Sequence, residues 1–291
     1  MKVLIIGGNG FIGQVLISQL RKKNCEIVNI YRNLQDTLQE HVENIHLNRK
    51  DVPAFRRRLH RKKFDAVIDL AAFTKKDVEV VDEIVDSDVY VFISSCAVYG
   101  EIDSCNINEK TTVTANKHHK YAYNKIAAED RVRQKPHIII RPAVVYGKND
   151  SHRERGQYFF QHIHESKITI PGKSTVQNNY IYVDDLARLI AMMLFSTKRN
   201  VTVNAAGMSF DWDVYLQTLA EVCKVPQPKI ESLGLSLPEF RTYAKNNKLH
   251  FPHNAFHDFV LNSDLAQELY GWQPTTSLHE GLERSRDWAS I

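Results

Sequence analysis

Long apolar runs are missing from this chain. None of its 291 residues belongs to a stretch near the 18 or so apolar residues that a membrane-spanning helix needs, and the run Val3-Leu4-Ile5-Ile6 stops at glycine. The expectation is a cytoplasmic chain with no signal peptide, no transmembrane helix and no membrane partner. Cysteine is scarce: Cys25, Cys96, Cys105 and Cys223 form no CxxC pair, which argues against a zinc site or disulfide framework and suits a reducing compartment. Proline (9) and glycine (12) are too few for collagenous or low-complexity chains, while 43% hydrophobic residues exclude disorder. Charge of one sign is not spread over the chain either. The net charge is +4, but Arg56, Arg57, Arg58, Arg61, Lys62 and Lys63 carry six positive charges in eight residues, so the rest is slightly acidic. Such a run usually marks the solvated face of a helix, and its sharper meaning is contact with nucleic acid.

What is present is an alternation of short β-rich runs with amphipathic stretches, the pattern of a parallel sheet with helices on both faces. Val3–Ile6, Glu26–Tyr31, Ala66–Leu70, Val89–Ser94 and Ile138–Arg141 read as strands covered on both sides. Phe11–Lys23 and the segment with Val78, Val81, Ile84 and Val85 have helical spacing, and Pro136 stops a helix over Tyr121–Gln134. Two later elements, Tyr180–Val183 with its following helix and Val201–Asn204, look like the main sheet returning. The expected fold is α/β, a doubly wound parallel sheet of Rossmann type with a small C-terminal substrate lobe. Residues 1–150, completed by about 180–204, form the dinucleotide-binding domain, and 151–179 with 205–291 form mainly the lobe.

Directly after the first strand comes Gly7-Gly8-Asn9-Gly10-Phe11-Ile12-Gly13, a GxxGxxG that opens a helix. Glycines permit the tight turn and the close approach of backbone to a pyrophosphate, and the helix N-terminus offers free N–H groups to the anion. Gly7, Gly10, Phe11, Ile12 and Gly13 are therefore candidate cofactor residues. An NAD site places a carboxylate at the end of the second strand, where this chain reads Tyr31-Arg32-Asn33. Arg32 suits a 2′-phosphate, which favours NADP over NAD. Asp51 and Val52 are placed at the adenine edge.

The strand ending in Ile93-Ser94-Ser95 is followed 26 residues after Ser95 by Tyr121-Ala122-Tyr123-Asn124-Lys125. Tyr and Lys four apart share one helix face. A free phenol titrates near 10, so acid–base work at neutral pH needs a shift of about 3 units, roughly 4 kcal/mol of differential stabilisation. Lys125 and an oxidised nicotinamide are the cations to supply it. Ser95 would hold the substrate oxygen while Tyr121 moves its proton. His253 and His257 are four apart but lack a third ligand, so no metal is expected.

In chain order, GGNGFIG, SSCAVYG, YxxxK, Arg141-Pro142-Ala143-Val144-Val145-Tyr146-Gly147, Tyr180-Ile181-Tyr182-Val183-Asp184-Asp185 and Leu269-Tyr270-Gly271-Trp272-Gln273-Pro274 resemble the extended short-chain dehydrogenase/reductase superfamily, its NAD(P)-dependent epimerase/dehydratase group. The resemblance implies Ser95, Tyr121 and Lys125 as the catalytic set, Ala71, Ala143 and Val144 beside Tyr121 and Lys125 against the cofactor, a small-molecule substrate, and a homodimer through helices flanking the sheet. Departures narrow it. Family dehydratases carry Asp-Glu after the catalytic hydroxyl, where this chain has Cys96-Ala97. Enzymes resembling GDP-fucose synthase use a Cys and a His, but Cys96 is one position off and Asn149 stands at the His position. Asn178 replaces an Arg that holds the diphosphate of nucleotide sugars, and Phe251–Phe259 lacks the second, with Lys148, Arg153, Arg155 and Lys173 as the cations that could substitute. The short crossover between Ala72 and Val89 is similar to a divergent branch that includes chloroplast stem-loop RNA-binding proteins. The expectation is an NADP-dependent oxidoreductase or epimerase acting at a secondary alcohol or ketone carbon of a sugar-like metabolite. The alternative is an NADP-sensing module whose 56–63 run engages RNA.

Overall fold

The computed structural model describes residues 1–32, 40–114, 119–150, 157–247 and 256–289. Its main sheet has seven strands, in spatial order Val201–Ala205, His137–Pro142, Tyr90–Ile93, Ala66–Asp69, Lys2–Ile6, Glu26–Tyr31 and Glu43–His46. Every neighbouring pair is parallel. Alternate residues of each strand feed two cores. Val3, Ile5 and Ile27 meet Leu16, Ile17 and Leu20 of the helix Phe11–Arg21 and the apolar face of the helix Val183–Phe195. Leu4, Ile6, Val28 and Ile30 meet Phe55, Leu59, Val78, Val81 and Val132 from the helices Val52–Leu59, Lys75–Ile84 and Lys120–Val132. Burial on both faces is why these strands are almost wholly apolar.

Strand order reverses around Lys2–Ile6, which has the second strand on one side and Ala66–Asp69 on the other. Above the carboxyl ends of a sheet, that reversal is where a doubly wound fold leaves its ligand crevice.

One expectation is corrected. The strand Asn178–Tyr182 does not return to the main sheet. It lies in a second, five-stranded sheet beside Val144–Tyr146 and Phe259–Leu261, the latter pairing with Ser104–Ile107, while Ser209–Phe210 adds an antiparallel partner. The β pattern was right, but an all-buried strand does not say which sheet it joins. Its following helix still packs on the main sheet, and Asp185 in that helix holds the C-terminal segment by accepting the N–H groups of Thr275 and Thr276 at 3.1 and 3.0 Å. Trp272 is fully buried and donates its indole N–H to the Asp185 carbonyl at 3.1 Å.

The basic run occupies the exposed end of the helix Val52–Leu59 and the turn after it. Arg58 and Lys62 both approach Glu43, at 2.9 and 3.8 Å, and Lys63 approaches Asp88 at 3.5 Å. Three of its six cations thus share two carboxylates, which balance a third of its charge locally. Among the described residues no helix is long and apolar enough to cross a membrane.

Candidate active site

The glycine turn sits at the strand-order reversal. Gly7 has φ +91°, and a Cβ there would lie 3.0 Å from the Cβ of Ala71, so the turn and the loop after the fourth strand touch. A Cβ on Gly13 would meet the Gly8 backbone at 2.5 Å, so glycine there lets the helix close onto the turn. Gly10 caps the helix without a side-chain bond, which leaves the first-turn N–H groups of Phe11, Ile12 and Gly13 for an anion. Beneath the turn runs a ladder of amides that sequence reasoning missed. Asn29, fully buried in the second strand, accepts the Gly8 N–H at 3.0 Å and donates to Asn9 at 2.6 Å and Asn44 at 2.9 Å. The signal was available, because an asparagine inside the apolar run Glu26–Tyr31 needs a partner. The Nδ2 group of Asn9 is buried in the turn with no acceptor among the described residues. An open glycine cradle, an uncapped helix N-terminus and an orphaned donor together fit a dinucleotide phosphate.

The other cofactor candidates follow the carboxyl ends of the sheet strands, and Ala71 among them touches the turn. Arg32 is exposed just past the second strand, and its carbonyl oxygen lies 2.8 Å from His46 Nε2. Asn33 lies outside the described residues, as do the substitute cations Arg153 and Arg155 and His253 of the pair from which no metal is expected. Asp51 caps the helix Val52–Leu59, accepting the Ala54 N–H at 3.0 Å, so its carboxylate already has structural work. The Ala71 N–H bonds to Asp69 at 3.0 Å, Ala143 is buried with its N–H on the Ala205 carbonyl, and Val144 opens the second sheet half-buried.

The catalytic candidates converge at the ends of the third and fourth strands in spatial order. Ser95 follows Tyr90–Ile93 in extended backbone and accepts the Ala97 N–H at 3.2 Å, capping the short helical turn Cys96–Tyr99. His119 caps the helix Lys120–Val132, which carries Tyr121 and Lys125 one turn apart. Tyr121 is 39% exposed with its ring edge-on to Phe73 at 6.1 Å. Lys125 is only 4% exposed, and its ammonium donates to the carbonyls of Ala72 at 2.9 Å and Ile93 at 2.7 Å. It lies 5.8 Å from the Tyr121 ring centroid. An ammonium has three donors, and among the described residues the third has no acceptor. Burial pushes Lys125 down to about 8, and the Asp69 and Glu129 carboxylates pull against that.

Two buried ion pairs flank Lys125, and both were missed. Glu129, one turn further along the same helix, receives Arg141 through two bonds of 3.0 and 2.7 Å and the Ser94 hydroxyl at 2.6 Å. Burial opposes its charge, but Arg141 more than offsets it and holds the carboxyl below its ordinary value. Arg141 also donates to Tyr99, which bonds Asn204. This network therefore ties the helix of Tyr121 to the strand end that carries Ser95. On the other side, Arg49 grips Asp69 at 2.7 and 2.9 Å, and the Tyr90 hydroxyl adds a bond of 2.7 Å.

The NAD dependent epimerase/dehydratase family model matches residues 3–206, the span that holds the turn and the candidates Ser95, Tyr121 and Lys125. The chain belongs to this family. It is thereby an enzyme of the extended short-chain dehydrogenase type, with a nicotinamide dinucleotide as cofactor. No curated protein matches the sequence significantly. Among solved structures it is similar to dTDP-glucose 4,6-dehydratase from Bacillus anthracis in complex with NAD, at 15% identity and TM-score 0.79 over 100% of this chain and 96% of that one. It is also similar to UDP-glucuronic acid 4-epimerase from Bacillus cereus in complex with UDP-glucuronic acid and NAD, at 19% identity, TM-score 0.76 and 100% and 99% coverage. UDP-glucose 4-epimerase from Thermotoga maritima matches at 19% identity and TM-score 0.77, covering 99% and 98%. At such identities the likeness is one of fold, and an epimerase/dehydratase scaffold is what this chain shares with them.

Proposed function

We propose that this epimerase/dehydratase family member uses NADP and moves a hydride at a secondary alcohol or ketone carbon of a sugar-like metabolite, as a reductase or an epimerase. The observation that carries the reading is Lys125, a nearly buried ammonium fixed by two backbone carbonyls under the partly exposed ring of Tyr121. Bound dinucleotide supplies the hydride acceptor and donor. The phenol of Tyr121 takes the proton from the substrate hydroxyl or returns it, and the Lys125 charge stabilises the phenolate. Ser95 Oγ, at the neighbouring strand end, holds the substrate oxygen. Arg32 and the absence of an acid in its place support NADP, although the similar solved structures contain NAD.

Sugar chemistry is suggested by the substrates bound in those structures, but this chain differs at the phosphate end. Asn178 is fully buried, in register with Phe210 and Phe259, and its amide donates to the Val176 carbonyl at 3.3 Å. This position carries no cation, which favours a ligand less anionic than a nucleoside diphosphate sugar. Thermal-shift screening of the NADP-loaded protein with free sugars, sugar phosphates and nucleotide sugars, followed by cofactor fluorescence during turnover, tests the reading. A ligand-dependent change in NADPH fluorescence is expected. A protein that binds neither NADP nor NAD refutes it.

A further inference from the structure

We propose that the surface formed by Arg56, Arg57 and Arg61 binds the phosphate backbone of a double-stranded nucleic acid without regard to sequence. The proposal goes beyond the hydride chemistry above and does not depend on it. The helix Val52–Leu59 buries Phe55 and Leu59 completely, which fixes its roll and leaves Arg56, Arg57 and Arg58 exposed. Arg58, Lys62 and Lys63 share Glu43 and Asp88, whereas Arg56, Arg57 and Arg61 are exposed and meet no carboxylate among the described residues. Arginines in a last helical turn suit the negative end of the helix dipole, but Arg61 lies beyond the helix. Its backbone supplies a second, independent observation. His60 has φ −54° and ψ 133°, Arg61 has φ +65°, and the Lys62 N–H closes onto the Leu59 carbonyl at 3.0 Å, a type II turn with Arg61 in third place. That place favours glycine or asparagine, because a larger side chain strains the backbone at positive φ. An exposed cation kept there against the local preference is accounted for by a contact outside the chain.

The chemistry of the surface selects the partner. All three uncompensated cations are arginines, whose guanidinium forks bond phosphate oxygens in pairs. The neighbouring aromatics Phe55 and Phe64 are fully buried, so the run offers no Phe ring for the bases of a single strand to stack on and no apolar anchor for a lipid surface. A duplex hides its bases and asks only for cations facing its phosphates. The run also adjoins Glu43, the first residue of its strand, and so lies at the amino ends of the sheet, whereas the glycine turn follows a carboxyl end. Duplex and dinucleotide would therefore occupy opposite ends of the sheet.

Fluorescence anisotropy of labelled DNA duplexes of about 20 base pairs, titrated with the full chain at a series of salt concentrations, tests this. Micromolar binding is expected at low salt, alike for two unrelated sequences, and log K should fall against log salt with a slope of about −3 for three phosphate contacts. Arg61→Gly should weaken binding roughly 3- to 10-fold while its thermal midpoint holds or rises, since glycine relaxes the turn. The triple variant Arg56→Ala, Arg57→Ala, Arg61→Gly should lose at least about 30-fold and flatten the salt slope. The proposal is overturned if the wild-type protein binds no duplex at low salt or if the triple variant binds like wild type. Release of the duplex by saturating NADP would also overturn it, by placing the nucleic acid in the cofactor crevice, as would tighter retention on phosphatidylserine vesicles than on the duplex.

Discussion

Replacing Lys125 by methionine should change how the cofactor-free protein responds to alkali. The ammonium is held at about 8 against an ordinary 10.5, with burial the largest cause. A base whose folded value is depressed costs stability wherever it must be protonated in the folded state. That cost is complete below pH 8, shrinks as the pH rises, and is gone above 10.5. The difference of 2.5 units is worth about 3 kcal/mol near pH 7. Methionine has similar length and no proton, so the variant lacks the penalty, while the loss of bonds to the Ala72 and Ile93 carbonyls adds an offset that does not vary with pH. Urea unfolding of both proteins at half-unit steps from pH 7 to 10.5 isolates the group, because raised tyrosines such as Tyr90 and Tyr215 are common to both. Wild-type stability should gain about 3 kcal/mol on the variant across that window, at up to about 1.4 kcal/mol per pH unit. Parallel curves would show that Lys125 keeps an ordinary pKa, and the strained ammonium under Tyr121 would have to be abandoned.

Tyr121→Phe should keep cofactor affinity and lose about 10²- to 10⁴-fold in turnover, read by cofactor fluorescence; near-normal turnover would make Tyr121 a mere helix residue. Arg32→Ala should weaken NADP roughly 10- to 150-fold and leave NAD nearly unchanged in fluorescence titrations, and equal weakening would end the NADP assignment. Calorimetry with UDP, GDP and dTDP on NADP-loaded protein should show weak binding, because two missing cationic contacts raise a dissociation constant by about two to four decades; micromolar binding would restore a nucleotide-sugar substrate. Glu129→Gln leaves Arg141 buried without its counter-charge and should cost about 3–5 kcal/mol in urea unfolding, whereas a loss under 1 kcal/mol would show that the Ser94–Glu129–Arg141 network does not hold helix to strand.

The first half of the fold was legible because its strands are buried on both faces and its turns are local. Glu26–Tyr31 emerges with the expected bounds, and the helix Lys120–Val132 stops close to Pro136 as expected. The second sheet was hard to read, since Ser104–Ile107 has two exposed central residues and no alternation, and Asn178–Tyr182 is apolar enough to suit either sheet. In the site, the turn and the Tyr121/Lys125 pair depend on short spacings and could be found by reading. The ion pairs could not: Arg49 and Asp69 are 20 residues apart, and Glu129 and Arg141 are 12 apart on different elements. A charged residue closing the apolar run Ala66-Val67-Ile68-Asp69 announces that a partner exists without saying which.

The three amides under the glycine turn, Asn9, Asn29 and Asn44, are neutral in every solvent the protein meets. Had the second strand carried a carboxylate or a histidine there, the turn would loosen or tighten as that group titrated. With amides it keeps one shape from mildly acidic to alkaline conditions, so a change of cofactor affinity with pH does not arise in this ladder. Salt should leave the cradle equally indifferent, since no charge within it can be screened, and its grip on the backbone is set by packing and amide geometry alone.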